Sequence, residues 1–266
     1  MLGKLLKYDW TLSWKVSAVI CGFLVLLTMI SIPILNHSMW NLHYEWLANL
    51  SVLITLLYLF MIWACPVGVF FYHCIRYYKN LYSDEGYLTA TLPVYPWQIV
   101  ASKLITTMVW SLISGLVMVS GILLLMITIG ELSVSPSELS NMLYQVIYEL
   151  LEMNYFTFFL SLLLLTLSSS IFSILLVFTS IALGQMFTSH RIAGAVIWYM
   201  ILNTVVQFLG FFFFMIPVFS IGGLLEPGVA DGIKLFFSIL FLVVTAADAL
   251  MFFICEYMLR KNLNLE

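Results

Sequence analysis

Few side chains in this sequence could do chemistry, and the most unusually placed of them is Asp248. It sits within LFLVVTAADALMFFI (residues 240–254) and is the only carboxylate near the middle of a long apolar run. An ionisable group at the centre of a membrane costs about 2.5–3.5 kcal/mol on insertion scales, so it is read first as functional. Asp248 could line a polar path, or gate one by taking up and releasing a proton. It could equally hydrogen-bond a neighbouring helix, or stay a neutral acid. Asn203 and Gln207 lie one helical turn apart in another apolar run. Amides there act as glue between helices, worth about 0.6–2 kcal/mol, or as contacts along a path.

Enzyme signatures are missing. There is no G-x-x-x-x-G-K-[ST] phosphate loop, no H-E-x-x-H, no G-x-S-x-G and no G-x-G-x-x-G, so no catalytic role is expected. The four histidines are scattered. His37 and His43 share one loop, but two histidines do not make a metal site. Cys21, Cys65, Cys74 and Cys255 lack C-x-x-C spacing and read as small buried hydrophobes. With a net charge of −3 and no basic cluster, nucleic acid is excluded as a partner.

The elements that hold these residues follow from composition. Of 266 residues, 63% are hydrophobic and 9% charged, where a soluble domain carries about 25% charged residues. The solvent is lipid. About 20 apolar residues in a helix cross the hydrocarbon core, and six runs meet that length: 15–35, 48–75, 97–129, 155–187, 192–216 and 234–259. The expected fold is an all-α integral membrane protein, a single transmembrane domain over 1–266 with no room for a soluble one. Residues 1–12 should form a short amphipathic helix in the interface. Leu2, Leu5 and Leu6 would lie near Trp10, with Lys4, Lys7 and Asp9 turned away. Leu2 to Trp10 is too polar for a signal core, and Val16 to Leu35 is long enough to remain as an anchor, so no cleaved leader is expected. Pro66 and Gly68 predict a kink in the second span. In the fourth, Ser169, Ser173, Ser180 and Gly184 form a small-residue stripe that lets helices approach closely. Residues 131–154 make the largest loop, with Leu139, Met142, Leu143, Val146, Ile147 and Leu150 at helical spacing. Residues 217–234 are Gly/Pro-rich and suggest a re-entrant or interfacial segment.

Between the second and third spans lies a polar island, residues 76–97, continuing to Lys103. Ser83 reads as an N-cap, with Asp84 and Glu85 in a first turn where acids favour the positive helix end. Leu88 and Leu92 share a face, Pro93 ends the turn, and Pro96 suits the start of the next helix. The bland reading is a solvated loop. The sharper one is a short helix slung beneath the membrane and gripped by something soluble. Charge fixes the side. Lys4, Lys7, Lys15, Arg76, Lys79, Lys103, Arg191, Arg260 and Lys261 fall on the face that carries both termini, against Lys234 alone opposite, accounting for all 10 basic residues. Basic loops stay inside, so both termini and the island are expected to be cytoplasmic.

From Tyr78 through Lys79, Asn80, Leu81, Tyr82, Ser83, Asp84, Glu85, Gly86, Tyr87, Leu88, Thr89, Ala90, Thr91 and Leu92 to Pro93, with Lys103 beyond, the sequence resembles the permease subunits of ABC-2 type ATP-binding cassette transporters from Gram-positive bacteria. The opening from Met1 to Asp9 looks like the start of that group, and the Gly184-Gln185 to His190-Arg191 turn is similar to its fourth-to-fifth helix junction. The resemblance implies an N-terminal elbow helix at 1–12 and a coupling helix within 83–93. That helix would dock an ATPase subunit through Ser83, Asp84, Glu85, Gly86, Tyr87, Leu88, Thr91, Leu92 and Pro93. It implies no cofactor in this chain, ATP and magnesium being held by the separate ATPase. A second permease, identical or different, would complete the transporter in the cytoplasmic membrane, with the path at the permease interface. The loop at 131–154 departs from the family pattern, in which the main outer elaboration precedes the last span.

The expected function is thus a permease subunit of an ATP-driven exporter. Aromatic spans with few fixed charges suit an amphipathic cargo such as a peptide, an antibiotic or a lipid-like molecule. Asp248, Asn203 and Gln207 are its candidate path residues. Two alternatives stand beside it: a proton-coupled secondary transporter using Asp248, and a non-transporting immunity or sensor membrane protein.

Overall fold

Long apolar runs without internal polar breaks leave the backbone one way to satisfy its own hydrogen bonds in lipid, which is to stay helical. The structure is a computed structural model that describes residues 2–35, 45–83, 86, 93–128, 140, 141, 144, 145, 148, 155–187, 190–221 and 229–261. Six long helices follow in order: α1 (Leu2–Leu35), α2 (Glu45–Tyr82), α3 (Pro96–Thr128), α4 (Tyr155–Gly184), α5 (Arg191–Ile221) and α6 (Val229–Lys261). All six are long and apolar enough to cross a membrane. The protein is an all-helical, multi-pass membrane protein.

Several expected boundaries move. No separate helix covers residues 1–12, because α1 runs unbroken from Leu2 to Leu35 with Pro33 tolerated in its last turn. Residues 217–221 extend α5 instead of opening a re-entrant segment, and α6 begins at Val229, so only 222–228 of that stretch lies outside the described residues. Membrane helices accommodate proline, which explains how α5 passes Pro217. Of the 131–154 segment, Ser140, Asn141, Tyr144, Gln145 and Tyr148 are helical and exposed; its expected apolar face lies outside the described residues. With 38 residues, α2 measures about 57 Å at 1.5 Å per residue. That is nearly twice a hydrocarbon core of about 30 Å.

The chain divides into two units. The first comprises Met1–Ile75 and Ile105–Gln145. Its core gathers Cys21 and Leu24 of α1, Tyr58, Ile62, Cys65 and Val69 of α2, and Trp110 of α3. On α1 the buried positions are Asp9, Ser13, Ser17, Cys21, Leu24, Thr28 and Ser31, whereas Val19, Phe23, Leu26, Met29 and Ile30 are exposed. Apolar side chains outside and small polar ones inside is the arrangement lipid favours, since hydroxyls and small side chains give membrane helices their contacts. Asp9, expected to turn toward water, is 3% exposed and continues this stripe one turn before Ser13. The Tyr58 hydroxyl donates to the Gly121 carbonyl at 2.9 Å. A Cβ at Gly121 would itself stand 2.9 Å from that hydroxyl, so the close approach calls for glycine there.

The second unit comprises Arg76–Leu104 and Val146–Glu266, with α4 packed against both α5 and α6. At the short turn between α4 and α5, a Cβ on Gly184 would meet the Ala195 backbone nitrogen at 2.5 Å and its Cα at 2.6 Å. The small-residue stripe therefore works only at one end. Ser180 and Gly184 are buried, whereas Ser169 and Ser173 are exposed. Their hydroxyls bond the Thr166 and Ser170 carbonyls of their own helix at 2.9 Å each, a local satisfaction that lets a serine face lipid.

Candidate functional site

The foot of α2 is built from Tyr77, Asn80, Leu81 and Tyr82, all buried although Arg76 and Lys79 flank them. Tyr77 is 1% exposed and lies flat on Phe178 of α4, with ring centroids 3.7 Å apart and planes at 6°. Tyr82 meets Tyr77 edge-on at 6.2 Å. The Cys255 thiol of α6 closes the group, close enough to both hydroxyls to interact with them. Neither hydroxyl completes a hydrogen bond with a protein partner. Aromatic packing holds the rings of this cluster together.

α2 runs on through the first residues of the island and stops at Tyr82. The Gly86 N–H donates to the Ser83 carbonyl at 2.7 Å, the first turn expected after an N-cap at Ser83. Gly86 is helical and buried. Pro93 is exposed, and the Gln98 N–H donates to the Tyr95 carbonyl at 2.9 Å as α3 starts at Pro96. Asp84, Glu85, Tyr87, Leu88, Thr91 and Leu92 lie outside the described residues. The described residues at both ends of the island, Arg76–Tyr82 and Pro96–Leu104, belong to the unit that contains α4, α5 and α6.

Asp248 is half-buried on α6, and its Oδ1 is fully enclosed without a protein hydrogen-bond partner. It stands seven residues before Cys255 and eleven before Leu259, both buried, so it lies on the packed stripe of its helix. On α5, Asn203 is half-buried and Gln207 exposed. No described hydrogen bond joins either amide to Asp248. Beside Gln207, α5 presents an open apolar surface formed by Met200, Ile201, Thr204, Val205, Phe208, Leu209 and Phe212.

Two polar features went unread in the sequence. Ser17 Oγ and His73 Nε2 are 3.2 Å apart, both buried, and link α1 to α2 inside the first unit. Lys103 is buried in the first turns of α3. The four-residue spacing of Asp9, Ser13 and Ser17 could have signalled the α1 half of this polar seam; nothing local signals His73. Among the described residues, no group of three His, Cys, Asp or Glu side chains forms a possible metal site. No protein-family model, curated protein or solved structure matches this chain.

Proposed function

We propose that this protein is the membrane-embedded permease subunit of an ATP-driven exporter in the cytoplasmic membrane. The observation that carries the reading is the polar island between two long membrane helices, both of its flanks packed into the α4–α6 unit. Described ends placed in one unit suit the passage of force from a docked partner. The nine-to-one distribution of basic residues supports a cytoplasmic island, within reach of a soluble ATPase. Residues 83–93, Glu85 and Leu88 among them, form the docking helix. ATP and magnesium reside on the ATPase, and closure of its nucleotide sites drives alternating access as a change between two packed arrangements. The cargo is amphipathic. Exposed Gln207 supports a second permease against α5, since an amide left in hydrocarbon without a partner costs about 2–7 kcal/mol. Purification in mild detergent tests the proposal: an ATP-binding cassette ATPase should accompany the chain, and a chain that brings down no ATPase refutes it.

The enclosed, unpartnered Oδ1 of Asp248 favours a second reading, proton-coupled transport by the chain alone. In that case vesicles holding only this protein and a pH-sensitive dye would pass protons down an imposed gradient, and Asp248→Asn would abolish the flux. On the exporter reading the wild-type vesicles stay tight.

A further inference from the structure

We infer that the stack of Tyr77 on Phe178, with Tyr82 and Cys255 gathered beside it, is the contact through which movement of the docking helix reaches α4 and α6. The inference rests on the permease reading above and adds to it the helices that receive the motion. Tyr77 stands six residues before Ser83, in the last turns of α2. Its ring lies flat against Phe178, which is wholly buried, and its hydroxyl comes close to Cys255, also wholly buried. One side chain therefore joins three elements of the same unit: the foot of α2, α4 near its C-terminal end, and the last third of α6.

Two properties suit this cluster to carrying motion. Enclosed flat rings cannot slide past each other without repacking their surroundings, because protein interiors are close-packed. Displacement of the foot of α2 is therefore handed on instead of being absorbed. A repacked arrangement of the same rings supplies the second state of an element that a ligand can bias. The packing directs the force to the fourth and sixth spans.

Cys255 supplies a native reporter once Cys21, Cys65 and Cys74 are changed to serine. The chain and its co-purified ATPase are placed in phosphatidylethanolamine–phosphatidylglycerol vesicles, and N-ethylmaleimide labelling of Cys255 is timed with and without magnesium-ATP. Nucleotide should accelerate labelling roughly tenfold by opening the cluster. Tyr77→Leu and Phe178→Leu should each remove that dependence while the ATPase still co-purifies. Phe71→Leu, at an exposed ring on the same helix, should leave it intact. If Tyr77→Leu fails to fold, Phe178→Leu decides alone. Labelling indifferent to nucleotide in a complex that keeps its ATPase would overturn the inference, as would a response that persists in the leucine variants. If no ATPase accompanies the wild-type chain, the permease reading falls and takes this inference with it.

Discussion

Replacing Gly184 by alanine puts one methyl group where there is no room for it. The added Cβ would lie 2.5 Å from the backbone nitrogen of Ala195, 2.6 Å from its Cα and 2.8 Å from its Cβ. Ordinary contact begins at 3.4 Å, so α4 and α5 must part locally by about 0.9 Å, the difference between 3.4 and 2.5. The obstructing atoms are mostly backbone, and no rotamer change can relieve them. Overpacking of this kind costs about 1–3 kcal/mol. At about 2–4 °C per kcal/mol for a chain of this size, Tm in detergent should fall by about 2–12 °C. Adding Ala195→Gly should restore little, because it removes only the farthest of the three clashing atoms. Gly194→Ala is the internal comparison. There the nearest obstacle is the ring of Phe187 at 2.5 Å, an exposed side chain that can swing away, so it should cost less than Gly184→Ala. Thermal unfolding followed by thiol-reactive dye fluorescence measures all of these. A Gly184→Ala protein melting within about 1 °C of wild type, or full rescue by Ala195→Gly, would refute the close backbone approach.

Other expectations concern single contacts. Tyr58→Phe removes the bond to Gly121 and should lower stability by about 0.5–1.5 kcal/mol; unchanged unfolding would show that bond to be dispensable. Ser17→Ala takes away one partner of His73 and should cost about the same, read as a lower Tm with unchanged expression. The double variant Glu85→Arg, Leu88→Asp should insert normally yet lose ATPase co-purification or its coupling to transport. Normal pull-down together with normal transport would exclude residues 83–93 as the docking site.

The six spans were legible because their signal is local: uninterrupted apolar length, with basic residues and prolines at the edges. Ser180 and Gly184 were legible for a related reason, as small side chains four residues apart invite close packing wherever a neighbouring helix arrives. Ser169 and Ser173 carry the same spacing but no neighbour reaches them, and the sequence does not say where a helix ends its contact. Asp9 was misplaced because charge suggests water, whereas it falls on the buried stripe that recurs every third or fourth residue on α1, with Ser13 and Ser17 on its next two turns. The Tyr77–Phe178 stack was illegible from either ring alone. It joins residues about a hundred positions apart, and only the packing of α4 beside the foot of α2 brings them together.

The hydroxyl seam on α1 bears on how this protein responds to temperature. When helices part inside a bilayer, the groups uncovered meet lipid chains, so little apolar area is newly hydrated. The large heat-capacity increment that curves the stability of water-soluble domains arises from such hydration. Separation of α1 from its neighbours should carry only a small increment, giving a flat stability curve and no weakening on cooling.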